Sequence, residues 1–251
     1  FCLDIALYLG SSDPAAVGLA RQSIEAYRRS LTEISDEYLE AMTQLGLLLA
    51  EQEDASCVPI LDEAIELWES CASRGCYLHC QAAATLGLFH YETDDPYAAR
   101  IALSRAISLF RERSDEHPLE LAMALNNLAN VYLDRGAYED ALAHYQQALN
   151  ITGKQEWDPQ HDAYELRYQW LLYNTGMVYY YLQRYVESEQ LLRKLLQRLP
   201  QGEPNPDDIF RSGSYYLSKT LQRQGRLEEA ERVLQQATIA VEQHFARDSI
   251  D

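Results

Sequence analysis

Apolar and small residues recur along this chain at the spacing of a helix face, and that face itself recurs. Ala16, Leu19, Ala20, Ile24, Tyr27 and Leu31 make the first such run. A small residue then marks the same place in five later stretches: Gly46, Gly87, Ala129, Gly176 and Ser218. The steps between them are 41, 42, 47 and 42 residues. A second run follows each one: Ala64 and Leu67; Ala99, Leu103 and Ala106; Ala141, Tyr145 and Ala148; Tyr185 and Leu192; Ala230, Leu234 and Ala237. Gly136 and Gly225 stand where two runs meet, as turn residues able to take positive φ. No strand-like alternation with hairpin turns interrupts this pattern, so an all-helical chain of paired helices is expected.

The pattern is fullest over Ala124–Ile151. There Leu128, Ala129, Tyr132, Gly136, Ala141, Tyr145 and Ala148 resemble one tetratricopeptide repeat, a helix–turn–helix unit, almost position for position. The resemblance runs from about Tyr38 to His244 and sets units at 39–71, 80–113, 122–155, 169–202 and 211–244. A minimal unit of this family has about 34 residues. The longer period here resembles the repeats of kinesin light chains and those of bacterial signalling proteins. The 39–71 unit reads one residue short near Glu53-Asp54. Extended backwards, the period predicts a partial unit over 1–34, with Cys2–Leu9 ending one helix and Ser11-Ser-Asp-Pro14 starting the next. The chain opens at Phe1 inside an apolar run, so a fragment or processed form of a longer protein is expected. The resemblance implies an all-α solenoid over 1–251: a right-handed superhelix of antiparallel helix pairs, about five full repeats and a partial first one. Each unit of such an array contacts only its neighbours, which makes it a single quasi-linear domain.

Net charge of −18 opposes the phosphate backbone of nucleic acid as a partner. Residues before position 118 hold 20 acids against 8 bases, and the remainder 19 against 13. A basic partner segment would match that surface. No apolar run approaches the roughly 20 residues that span a bilayer. Five cysteines, in a fold that needs no disulfide framework, point to a reducing cytoplasm. Cys71, Cys76 and Cys80, near His79 and Cys57, match no common structural zinc spacing, so no metal is expected and the thiols read as packing residues. None of the six histidines sits in a His-x3-His or His-Glu-x2-His pattern, and there is no phosphate-binding Gly-rich loop or Gly-x-Ser-x-Gly elbow. The chain therefore reads as a non-enzyme that needs no cofactor.

In the family, the first helix of each unit lines a concave groove. The resemblance carries that role to Glu40, Thr43, Leu47 and Glu51, then to Gln81, Ala84, Leu88, Tyr91 and Glu92. From the later units come Asn127, Asn130, Trp170, Tyr173, Asn174, Met177, Tyr181, Tyr215, Lys219 and Arg223 as the candidate peptide- or protein-binding set. Asn127 and Asn174 are register equivalents, 47 residues apart, and their amides can both donate to and accept from a peptide backbone. Trp and Tyr supply large contact areas favoured in interface hot spots. The family's two-carboxylate clamp is incomplete, since Asn126 replaces its leading Lys and Ser212 and Tyr216 replace its last bases. Lys219 and Arg223 leave room for a single carboxylate. Tyr132, Tyr179 and Tyr185 fall at packing positions, and Trp157, in the long Thr152–Tyr164 connection, is expected to pack on the next helix. Gln201-Gly-Glu-Pro-Asn-Pro206 makes a second break.

The leading reading is a scaffold that binds a protein or peptide segment, basic or aromatic-reading, in the groove. Two alternatives stay open. One is an effector-sensing regulatory module of a larger signalling protein carrying an ATPase, protease or transcription regulator. The other is a self-association domain that forms a homodimer through an exposed array end.

Overall fold

A computed structural model describes residues 14–30, 35–71, 76–112, 116–153, 162–199 and 209–248. The helix end at Cys2–Leu9, Leu31, the packing of Trp157 and the break at 201–206 lie outside the described residues. Eleven helices and no strand occur among the described residues. They are α1 Pro14–Ser30, α2 Asp36–Glu51, α3 Cys57–Ser70, α4 Tyr77–Glu92, α5 Pro96–Glu112 and α6 Pro118–Asp134. The rest are α7 Tyr138–Thr152, α8 Asp162–Tyr181, α9 Tyr185–Arg198, α10 Ile209–Arg223 and α11 Leu227–Asp248.

Local signals start these helices. The Ser35 side chain accepts from the Tyr38 backbone N–H at 3.3 Å and caps α2. Asp95 accepts from the Ala98 N–H at 3.0 Å, and Pro96 fills the first helical position of α5, where its missing donor costs nothing.

The helices gather into two compact units, Phe1–Val131 and Tyr132–Asp251. In the first, α2 packs on α1 and α3, α4 packs on α3 and α5, and α2 touches α4. In the second, α7 to α11 pack in chain order, and α8 touches α10. Each unit thus has the nearest-neighbour packing of a repeat array.

Glycines set the approach within the pairs α2–α3, α4–α5 and α8–α9. A Cβ on Gly87 would stand 2.6 Å from Leu103 Cγ and 2.9 Å from its backbone nitrogen. Gly176 meets Leu192 in the same way, with its would-be Cβ 2.9 Å from Cγ. Leu192 and Leu103 are fully buried. In the second unit Leu192 joins Leu217, Leu221 and Ala230 in one cluster, while Leu172, Leu195, Leu199 and Ile209 form another.

One turn serves all five pairs. Glu53, Asp94, Gly136, Gln183 and Gly225 each take positive φ, between 57° and 80°. The N–H of the following residue reaches back five positions: Asp54 to Leu49 O, Asp95 to His90 O, Ala137 to Tyr132 O, Arg184 to Tyr179 O and Arg226 to Leu221 O. This left-handed cap satisfies helix-end carbonyls that would otherwise lack partners. Glu53 therefore occupies the same turn position as the others. The missing residue of the 39–71 unit falls after it: α3 starts only at Cys57, and Gly46 meets Leu61 fifteen residues on, where Gly87 and Gly176 meet their leucines sixteen on.

Candidate functional site

In the first unit, α2 and α4 present a groove of about 440 Å³. Leu47, Leu88 and Phe89 give it an apolar floor, and Gln81 and Thr85 add an amide and a hydroxyl. Ala50 and the exposed Glu51, Glu53 and Glu92 complete its lining. Leu47, Glu51, Gln81, Leu88 and Glu92 belong to the face assigned from the sequence. Thr85, Phe89 and the turn residue Glu53 were not, although Thr85 and Phe89 lie one helical turn from Gln81 and Glu92.

Thr43 is a correction to that face. It is fully buried, and its hydroxyl accepts from the Trp68 indole N–H at 3.1 Å. The indole brings a donor into the core, and Thr43 supplies the partner it requires. Thr43 thus joins α2 to α3 inside the core.

In the second unit the first-helix face is built from tyrosines. Trp170, Tyr173, Tyr180 and Tyr181 lie along α8, and Tyr215 and Tyr216 on α10. Tyr216 stands at the centre. Its ring meets Tyr173, Tyr180, Tyr181 and Tyr215 edge-on at centroid distances of 5.5–6.1 Å. The Tyr181 and Tyr216 hydroxyls share a hydrogen bond of 2.8 Å. Burial first, then that bonded hydroxyl, pushes the Tyr216 phenol well above its ordinary pKa, so it stays neutral.

Tyr138, at the start of α7, stacks flat on Tyr181 with centroids 5.0 Å apart, a partner the repeat pattern gave no reason to include. Tyr185, a packing position in the sequence, is half-buried and turns its ring towards Tyr180 at 5.9 Å. Tyr179 is buried; its hydroxyl accepts from the Gln146 amide and the Arg184 guanidinium lies over its ring. Tyr132 is half-buried and stacks on His144.

Three of the rings remain substantially in water: Trp170 at 37%, Tyr181 at 40% and Tyr215 at 45%. Two cations edge this patch. The Lys219 ammonium sits 4.7 Å from the Tyr215 ring centroid, and the Tyr215 side chain raises its pKa. The Tyr180 side chain does the same for Arg223 by hydrogen bonding. Both bases are therefore held charged and close to apolar surface.

Met177 and Asn174 are half-buried on α8, beside these rings in sequence. Asn127 and Asn130 are half-buried on α6 and belong to the first unit, whereas Asn174 belongs to the second. The Asn127 side-chain oxygen accepts from the neighbouring Asn126 amide at 3.3 Å.

The second helices carry ion pairs. Glu69 pairs with Arg105 between α3 and α5. In the second unit Arg193 and Arg226 both bind Glu189 and Glu229, linking α9 to α11. Burial opposes ionisation of Glu189, but its two arginines outweigh it and hold its pKa below the ordinary carboxylate value. Arg198 does the same for Glu165 through two hydrogen bonds of 2.6 and 2.8 Å.

Cys57 and Cys80 are buried, Cys71 and Cys76 half-buried, and none of these four is in a disulfide. Burial, and then the Asp54 charge, push the Cys57 thiol up to about 11, which leaves it unreactive. Among the described residues no three His, Cys, Asp or Glu side chains stand together as a metal site. No described helix is long and apolar enough to cross a membrane.

Residues 78–154 and 216–251 match tetratricopeptide repeat models. No curated protein sequence matches the chain. Among solved structures, BtubC from P. vanneervenii is similar over 89% of each chain, at 20% identity and a TM-score of 0.67. The apo form of RapI is similar over 97% of each chain, at 13% identity and a TM-score of 0.67. Nearly identical repeats assigned to a kinesin light chain of Podosopora anserina cover 80% of this chain and 94% of theirs, at 16% identity and a TM-score of 0.62. At these identities the likeness is one of fold.

Proposed function

We propose, from the tetratricopeptide repeat matches over residues 78–154 and 216–251, that the chain is a non-catalytic scaffold that binds an extended segment of a partner protein on its first-helix faces. The observation that carries this reading is the tyrosine patch of the second unit. A monomer gains nothing in stability from leaving three large rings 37–45% exposed. A partner segment covering them would remove apolar area from water at about 25 cal/mol per Å². The rings are already fixed by their neighbours, so little side-chain freedom is lost on binding.

Lys219 and Arg223 set the chemistry. Each is charged and held by a tyrosine. An acidic side chain or a terminal carboxylate on the segment would pair with them while apolar side chains lie on Trp170, Tyr181 and Tyr215. Tyr173, Asn174 and Met177 extend the same face, and Asn127 and Asn130 are assigned an equivalent role on α6. The same reading puts the protein in the cytoplasm, for the cysteine usage given above.

Fluorescence anisotropy with a labelled peptide alternating leucine and glutamate tests this directly. Wild type is expected to bind it, and Lys219→Gln/Arg223→Gln to weaken binding by about tenfold. Arg223 is exposed and Lys219 half-buried, and a thermal melt establishes that the variant is folded. Equal binding by the two proteins would remove the tyrosine patch as the binding site.

A further inference from the structure

The first unit offers a groove of different character. Its lining contains Glu51, Glu53 and Glu92 and no Lys or Arg. None of these three carboxylates is in an ion pair among the described residues. Like charges around one concavity repel, and a cation placed among them relieves that repulsion. A bare metal ion does not fit, because no three acidic groups there stand in a ligating arrangement. The apolar part of the lining is formed by Leu47, Ala50, Leu88 and Phe89. A cation on an apolar stem meets both halves of such a site: the stem lies on the leucines and the head reaches the acids. Lysine and arginine are the side chains of that form. Gln81 and Thr85, half-buried in the same lining, can bond the backbone of an extended chain.

We propose that the groove between α2 and α4 docks a basic–aliphatic peptide segment, in which a lysine or arginine flanked by leucine-like side chains places its charge between Glu51 and Glu92. This deepens the proposed function and rests on segment binding, but at another place and with the opposite charge preference.

The probe is a fluorescein-labelled peptide alternating leucine and lysine, titrated with the full chain and followed by anisotropy. Glu51→Gln/Glu92→Gln is expected to weaken binding by about tenfold. Glu228→Gln/Glu231→Gln, which changes net charge equally on the exposed face of α11, is expected to leave it unchanged. Thermal melts establish that both variants are folded. No binding by wild type, or equal loss in the two variants, would overturn the proposal, the second because general acidity would then account for the attraction. The leucine–glutamate peptide, run in parallel, reports on the tyrosine patch. Loss of that signal alone strikes the proposed function of the second unit, and loss of the lysine signal alone strikes this groove.

Discussion

The two units use the same frame and dress it differently. In both, a small residue admits the second helix, a left-handed turn follows seven residues later, and a leucine closes the pair. In the first unit the first-helix face carries short aliphatic side chains and leaves a groove edged by glutamates. In the second, tyrosines fill their space against one another and stand out beside Lys219 and Arg223. Frame positions decide that helices pair. Face positions decide what the pair can hold, and nothing in the frame constrains them.

That separation can be broken by substitution. Leu192→Ala removes a fully buried frame side chain and is expected to cost about 3 kcal/mol in urea denaturation. Tyr181→Ala, on the face, is expected to cost under about 1 kcal/mol, since its ring is already 40% exposed. Similar costs for the two would mean that the tyrosine patch serves the core.

A smaller effect tests the close approach. Gly87→Ala sets a methyl 2.9 Å from a backbone nitrogen, where no rotamer change gives relief, and is expected to cost about 2 kcal/mol. Ala129, its register equivalent, already carries a Cβ. A rise in melting temperature for Gly87→Ala would show that the helix-propensity gain outweighs the clash and that the pair can open without loss.

The smallest effect lies at the turns. Gln183 holds φ of 60°, a conformation that costs an L side chain about 1 kcal/mol. Gln183→Gly is expected to return about that much, and Gly136→Gln to lose it, both read as shifts in chemical-denaturation midpoint. No change in either would mean that the five turns are not equivalent.

The frame was legible because it needs rare features. Gly46, Gly87 and Gly176 mark close approaches, and Gly136 and Gly225 mark turns, all by lacking a side chain. Glu53, Asp94 and Gln183 make the same turn with ordinary residues, and only the hydrogen bond closed by the next residue identifies them. The face was legible as positions but not as neighbours. Thr43 lies on the groove-facing register yet is drawn inward by the Trp68 indole. Tyr138 opens α7 and Tyr181 closes α8, with both helices and a long connection between them, and only packing puts the two rings face to face. The acidic groove was visible as Glu51 and Glu92, but its enclosure depends on how closely α2 and α4 approach, which no residue pattern states.

Selection of a random linear peptide library on the full chain tests the two-face account most directly. Two enriched families are expected. One is basic and aliphatic and is lost on Glu51→Gln/Glu92→Gln; the other is acidic and apolar and is lost on Lys219→Gln/Arg223→Gln. A single family would contradict it, and families that survive both pairs of substitutions would move recognition away from the first-helix faces.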